Sequence, residues 1–281
     1  MCRCCCQCRN HRSKCHAAID AEHRAVANSL LNLSPWNPVL AWDMGESEGA
    51  SYNLAIGGKA MQNEIQNEVQ NEVRKQTLGE EWANSLSHGL GLLGLLLAAL
   101  IAWPLTPKGG HAVGWVGVGV YLASMVALYG VSALYHGLPA GRAKAVMMKL
   151  DYCAIYVFIA GTYTPFALGV LAGHGGTALL YVIWTLAVLG IVLQATGRLA
   201  HPLLSTGLYV AMGWTVLAVA KPLITLLPTA GLMWLLAGGF CYTGGVLFFL
   251  LDSKLKFAHS VWHLFVLAGS ACHFIAVGWY A

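Results

Sequence analysis

The stretch LYHGLPAGRAKAVMMKLDYCAIY, residues 134–156, joins the end of one long apolar segment to the start of the next. It places His136 at the end of the first segment and Asp151 at the front of the second. From Leu86 to the end, the chain holds only one other acidic residue, Asp252. A charge in such apolar surroundings costs at least a few kcal/mol, so we expect Asp151 to have a function.

The composition of the chain is that of a membrane protein. Of its 281 residues, 57% are hydrophobic and 10% are charged, whereas soluble domains carry about 25% charged residues. Ten of the twelve acidic residues precede Leu86, and the net charge of +4 forms no basic stripe with interleaved aromatic residues. The composition therefore gives no reason to expect a nucleic-acid partner.

Seven apolar stretches are each long enough to cross the hydrocarbon core of a bilayer, which takes about 20 helical residues. The sequence thus predicts an all-α membrane protein with seven transmembrane helices. The Lys and Arg residues that flank these spans predict a cytoplasmic N-terminus and an outside C-terminus. Eight of them lie on the side of the N-terminus and two on the opposite side. The predicted spans are 86–106, 112–136, 147–171, 176–197, 203–223, 229–251 and 258–280.

The N-terminal part differs in character from the rest. We predict that residues 1–77 form a polar, disordered, Cys-rich extension and that residues 78–281 form the membrane domain. Six of the nine cysteines crowd into the first fifteen residues, without the spacing of a folded zinc module. Met61 precedes a short repeat, QNEI, QNEV, QNEV, and is our hypothesis for the true start. Peptides from residues 1–60 in the native protein would refute this hypothesis.

Polar residues of three spans fall at one end of this predicted bundle. Ser132 and His136 end the second span, Asp151 begins the third, and His259 and His263 begin the seventh. Each i, i+4 pair shares a helix face, and two histidines at that spacing can hold one metal ion. Three histidines and one aspartate suit Zn²⁺, so the sequence predicts a zinc site near the inner leaflet.

The spacing leaves the role of Asp151 open. It is either a fourth ligand, a base that holds a water molecule, or a group that orients a ligand. Ser132 is placed to bond either that water or a substrate oxygen. The competing interpretation is that Asp151 is an interfacial charge paired with Lys149, Lys144 or Arg142.

Other polar residues receive weaker interpretations. Asp252 is predicted to lie in a solvated loop, and His273 to make a hydrogen bond between helices. Four residues open the first span and either cap that helix or, for the last of them, line the site: Glu80, Glu81, Asn84 and His88.

Five motifs, in order, resemble the bacterial hemolysin III family, within the superfamily of progestin and adipoQ receptors. They are EEWANSLSHGLG (80–91), SALYH (132–136), KLDY (149–152), GTYTPF (161–166) and HSVWHLFVLAGSACHF (259–274). The resemblance covers about residues 78–281. It implies a seven-helix fold in the bacterial plasma membrane, with the N-terminus in the cytoplasm.

The resemblance also implies zinc bound by His136, Asp151, His259 and His263, with Ser132 beside the site. It suggests hydrolysis of a lipid amide or ester, as in the alkaline ceramidases, with Asp151 positioning water and Ser132 stabilising an oxyanion. The alternatives are a pore-forming, cytolytic protein, which the family name implies, and a zinc-stabilised sensor of membrane state. The expected partners are membrane lipids and a second copy of the chain.

Overall fold

The computed structural model describes residues 75–102, 112–199 and 202–281. The predicted Cys-rich extension lies almost wholly outside these residues, and so does the hypothetical start at Met61.

The described residues form helices and no strands, which confirms the predicted all-α class. One predicted span is broken, because residues 202–226 form an α-helix, a 3-10 helix and a second α-helix in succession. Counted this way, seven segments are long and apolar enough to cross a membrane. The helices are α1 (Leu78–Ala102), α2 (Ala112–Gly137), α3 (Arg142–Leu168), α4 (Gly176–Ala195), α5 (Pro202–Gly213), the 3-10 helix (Trp214–Val219), α6 (Ala220–Leu226), α7 (Thr229–Leu250) and α8 (Ala258–Tyr280).

Helix α1 begins at Leu78 rather than near residue 86, because a capping box starts it. The Thr77 N–H and hydroxyl both donate to Oε2 of Glu80, each at 2.9 Å, and the Glu80 N–H donates back to Thr77 Oγ1 at 3.4 Å. This reciprocal arrangement satisfies amide groups that a helix start leaves unpaired. As a result, the polar residues that precede the apolar run belong to the helix.

Helix α3 begins at Arg142, so Asp151 lies more than two turns inside the helix and not at its front. The first turn of α3 is drawn against the end of α2 by Lys144. Its ammonium group donates to the carbonyl oxygens of Tyr135 and Leu138, at 3.0 and 3.1 Å. The carbonyl groups at a helix end have no intrahelical partner, so a cation there both bonds them and is favoured by the helix dipole.

The helices follow one another round a ring. Neighbours in sequence pack side by side, α1 and α8 close the ring, and α3 also touches α5 and α8. The last turn of α2 and the first turns of α1, α3 and α8 therefore lie at one end of the bundle, which we call the site end.

Helix α1 is attached to the bundle through polar residues. It buries Glu80, Asn84 and His88, one per turn along one face. Leucines such as Leu93 and Leu97 on its other faces are more than half exposed, as suits contact with lipid tails. Since lipid tails are as apolar as leucine, hydrophobic contacts do little to hold such a helix in place. The polar stripe is therefore the feature that fixes the position of α1.

Glycines set the distance between α7 and α8. The buried residues of α7 are Gly231, Gly238 and Gly245, seven apart. A Cβ at Gly238 would collide with the ring of His273, and one at Gly245 would lie 2.8 Å from Cβ of Phe265. Small residues let transmembrane helices approach closely, so this stripe holds α8 where its first turns reach the site end.

Candidate metal centre

Three histidines meet at the site end. His136 comes from the last turn of α2, and His259 and His263 come from the first two turns of α8. One ring nitrogen from each lies within 4.8 Å of the others, and all three residues are buried. The structure thus brings together three of the four residues that the sequence predicts as metal ligands.

The Nε2 atoms of the three rings are the ones left free. Each is buried and has no hydrogen-bond partner. A buried polar atom without a partner costs about 1–3 kcal/mol, so three in one place need an explanation. One metal ion would satisfy all three. Neutral imidazole nitrogens are common zinc ligands, and a three-histidine set leaves a fourth position open, as in catalytic zinc sites. The residues present therefore fit a zinc ion.

Carboxylates hold the other nitrogen of two of these rings. Nδ1 of His136 lies 2.8 Å from Oε2 of Glu81, and Nδ1 of His259 lies 3.1 Å from Oδ2 of Asp252. A carboxylate accepts a hydrogen bond, so Nδ1 carries the proton in each ring. Nε2 then keeps its lone pair, which is the state that a metal ligand needs.

The third ring is held by α1. Nδ1 of His263 lies 2.9 Å from the hydroxyl oxygen of Ser87 and 3.2 Å from the carbonyl oxygen of Asn84. The Ser87 hydroxyl itself donates to that carbonyl at 2.8 Å, so its oxygen is left to accept from the imidazole. His263 therefore also has its proton on Nδ1 and its lone pair on Nε2.

The prediction that Asp252 lies in a solvated loop is wrong. Asp252 is 8% exposed, and besides His259 it accepts hydrogen bonds from Nε2 of Gln76 at 3.0 and 3.1 Å. The signal was present in the sequence, because Asp252 is one of two acidic residues after Leu86 and precedes His259 by seven residues. Its loop folds back onto the first turn of α8.

Glu81 joins three helices at this centre. Its Oε1 pairs with the ammonium group of Lys144 at 2.9 Å, while Oε2 bonds His136. Lys144, which the competing interpretation paired with Asp151, therefore forms an ion pair with Glu81. The sequence marked Glu81 only as a helix cap, because its partner lies 55 residues away.

Asp151 and Ser132 lie beside each other, and Ser132 lies one turn before His136 on α2. Both are buried, and Ser132 is a polar neighbour of the Asp151 carboxyl group. The Ser132 hydroxyl has no hydrogen bond of good geometry. Asp151 is not one of the residues whose ligand atoms converge, so its direct ligation of a metal stays a prediction.

His273 lies deeper in α8, outside this group. Its Nε2 is 3.3 Å from the carbonyl oxygen of Leu235 on α7, which confirms the predicted hydrogen bond between helices. His174, in the α3–α4 connection, is exposed and bonds its own loop.

The sequence matches proteins of one family over most of this domain. The profile of haemolysin-III related proteins matches residues 76–274. The chain is 40% identical over 204 residues to the Hemolysin-3 homolog of Bacillus subtilis (strain 168), covering 73% of this chain and 95% of that protein. It is 42% identical over 205 residues to Hemolysin-3 of Bacillus cereus, covering 73% and 93%.

A more distant likeness extends beyond bacteria. The human Monocyte to macrophage differentiation factor is 28% identical over 215 residues, covering 72% of this chain and 85% of that protein. No solved structure matches the chain. The matched region contains all three converging histidines together with the residues that hold their Nδ1 atoms. The chain is therefore a multi-pass membrane protein that belongs to the haemolysin-III related family.

Proposed function

We propose that this protein is a zinc-dependent hydrolase that cleaves an amide or ester bond in a membrane lipid. The observation that carries the proposal is a set of three buried histidines whose ring nitrogens converge, each with an Nε2 atom that has no hydrogen-bond partner. Zn²⁺ bound there would act as a Lewis acid and lower the pKa of a water molecule to about 7. Each ring is already held in the correct tautomer, so the site is preorganised.

Asp151 and Ser132 supply the remaining chemistry in this proposal. Asp151 accepts a proton from the attacking water while the water oxygen adds to the carbonyl carbon of the lipid. Asp151 then delivers that proton to the leaving nitrogen or oxygen as the amide or ester bond breaks. The Ser132 hydroxyl donates a hydrogen bond to the oxyanion that forms. The support for these roles is the burial of both residues, the position of the Ser132 hydroxyl beside the Asp151 carboxyl group, and the single helical turn between Ser132 and His136.

We infer that the site end lies at the inner leaflet of a bacterial plasma membrane. The distribution of Lys and Arg supports this orientation, because α1 begins at the site end, and the bacterial relatives support the choice of membrane. A lipid would enter from the side, between helices whose outer faces carry exposed leucines. At that depth the reacting bond belongs to the region between the headgroup and the acyl chains.

Elemental analysis of the purified protein tests the metal, beside the double variant His259→Ala/His263→Ala. We expect about one zinc per wild-type chain and none in the double variant. Vesicles that contain ceramide then test hydrolysis. A wild-type protein without zinc would refute the proposal, and zinc without turnover on amide or ester lipids would favour a structural ion in a membrane sensor.

A cytolytic activity is the second candidate, and the printed name of the Bacillus cereus relative, Hemolysin-3, supports it. The buried metal-centre residues gather at one end of the bundle and form no lane along it, which favours the hydrolase over a wide pore. Dye leakage from liposomes separates the two. Leakage that His263→Ala leaves unchanged would favour the pore.

A further inference from the structure

His88 on α1 lies against the metal centre but has no assigned role. It is 2% exposed. One face of its ring stacks on His263, with centroids 3.5 Å apart and planes 8° apart, and its ring also contacts Tyr129 at 4.9 Å. Both of its ring nitrogens are buried and without hydrogen-bond partners. The ring is thus held firmly while its polar atoms are unsatisfied.

The stacking excludes His88 as a ligand of the same ion. A histidine ligand holds its metal close to the plane of its ring, because the nitrogen lone pair lies in that plane. The planes of His88 and His263 are nearly parallel and about one ring thickness apart, so the two rings could not both hold one ion in their planes. In agreement, the converging nitrogen atoms belong to His136, His259 and His263.

A second potential donor lies on the same face of α2 as Tyr129. Ser132 is three residues after Tyr129 on α2, so both lie on one helix face. Its buried hydroxyl makes no hydrogen bond of good geometry, although it neighbours the Asp151 carboxyl group. His88 thus contacts His263 from α1, and Ser132 lies one turn before His136 on α2. A neutral imidazole has one N–H donor, and a hydroxyl has one O–H donor. Two donors from rigid helices suit a single oxygen that carries negative charge.

We propose that His88 is a ligand-binding residue of this site, and that its ring N–H donates a hydrogen bond to an oxygen of a carbonyl or carboxylate group bound at the metal. The proposal rests on the metal-dependent function proposed above. It adds a residue from α1, the helix that otherwise contributes only support to His136 and His263. It also explains why a histidine with two unsatisfied nitrogens is buried at this position.

The test uses the full-length protein in detergent, loaded with Co²⁺, whose visible spectrum reports its ligands. The probe is acetohydroxamate, a small anion with a carbonyl oxygen. His88→Phe keeps a flat ring on His263 but removes both nitrogens, and His174→Gln, at an exposed loop histidine, is the matched control. We expect both variants to bind about one Co²⁺, and His88→Phe to bind acetohydroxamate about tenfold more weakly or worse, as for a lost hydrogen bond to a charged group.

Equal acetohydroxamate affinity in wild type and His88→Phe would overturn the proposal. If His88→Phe fails to load Co²⁺, His88→Leu provides the same comparison. If neither His88→Phe nor His88→Leu binds Co²⁺, the His88 ring only supports the metal centre, and this result also overturns the proposal. A wild-type protein that binds no Co²⁺ would refute the proposed metal-dependent function itself. If only the His88 proposal is wrong, the wild-type protein still binds Co²⁺.

Discussion

Replacing Asp252 by Asn tests whether the carboxylate behind His259 sets the affinity of the centre for zinc. The carboxylate now accepts from His259 through Oδ2 and from Gln76 through both oxygens. An asparagine side chain has one acceptor oxygen, and its NH₂ group would face a donor. One of the two present partners, His259 or Gln76, therefore loses its acceptor, and the negative charge that makes the imidazole a better ligand is gone.

The magnitude follows from the burial of the group. A hydrogen bond to a charged, buried acceptor contributes about 1.5–3 kcal/mol, and loss of such an outer partner lowers metal affinity by about 10- to 100-fold. We expect Asp252→Asn to lower zinc affinity about 10-fold, because the amide oxygen can still accept from His259. We expect Asp252→Ala to lower it about 100-fold. The present distances of 3.0–3.1 Å leave little room for the loop to adjust.

The assay is competition for Zn²⁺ between the purified protein in detergent and a chelating indicator dye. Lys254→Gln is the matched control, because it changes the charge of the same loop at an exposed position. Thermal unfolding of the zinc-free proteins checks that the variants still fold. Unchanged zinc affinity in Asp252→Asn, with normal folding, would show that the hydrogen bond to His259 does not tune the metal ligand.

Three more predictions concern the rest of the centre and its support. Glu81→Gln should weaken zinc binding about tenfold in the same competition assay. Lys144→Met should weaken it less than about fivefold, because the ion pair of Lys144 with Glu81 is partly solvated. Equal effects of the two substitutions would contradict this order. Gly238→Leu should destabilise the protein by about 1–3 kcal/mol in thermal unfolding, because a side chain there meets His273, whereas Gly239→Leu, with open space around it, should change little. Asp151→Asn should keep its zinc and lose about 100-fold or more of any lipid hydrolysis, and loss of the zinc would instead make Asp151 a ligand.

The sequence by itself determined the seven spans and the histidine pair on α8. Both depend on properties that are local along the chain. Span length follows from about 20 apolar residues against a fixed bilayer thickness, and the common face of His259 and His263 follows from 3.6 residues per turn. The start of α1 was also encoded locally, in the capping box formed by Thr77 and Glu80, but the apolar pattern alone placed it too late.

Only the tertiary structure decided which groups hold the three rings in place. Glu81 reaches a histidine 55 residues away, Ser87 reaches one 176 residues away, and Asp252 is turned inward by a loop whose sequence reads as solvated. These contacts depend on which helices are neighbours in the ring and on how closely glycines let them approach. Hydrophobicity and helical period determine neither the neighbours of a helix nor the distance between helices. His88, for example, lies beside His263 only because α1 packs against α8.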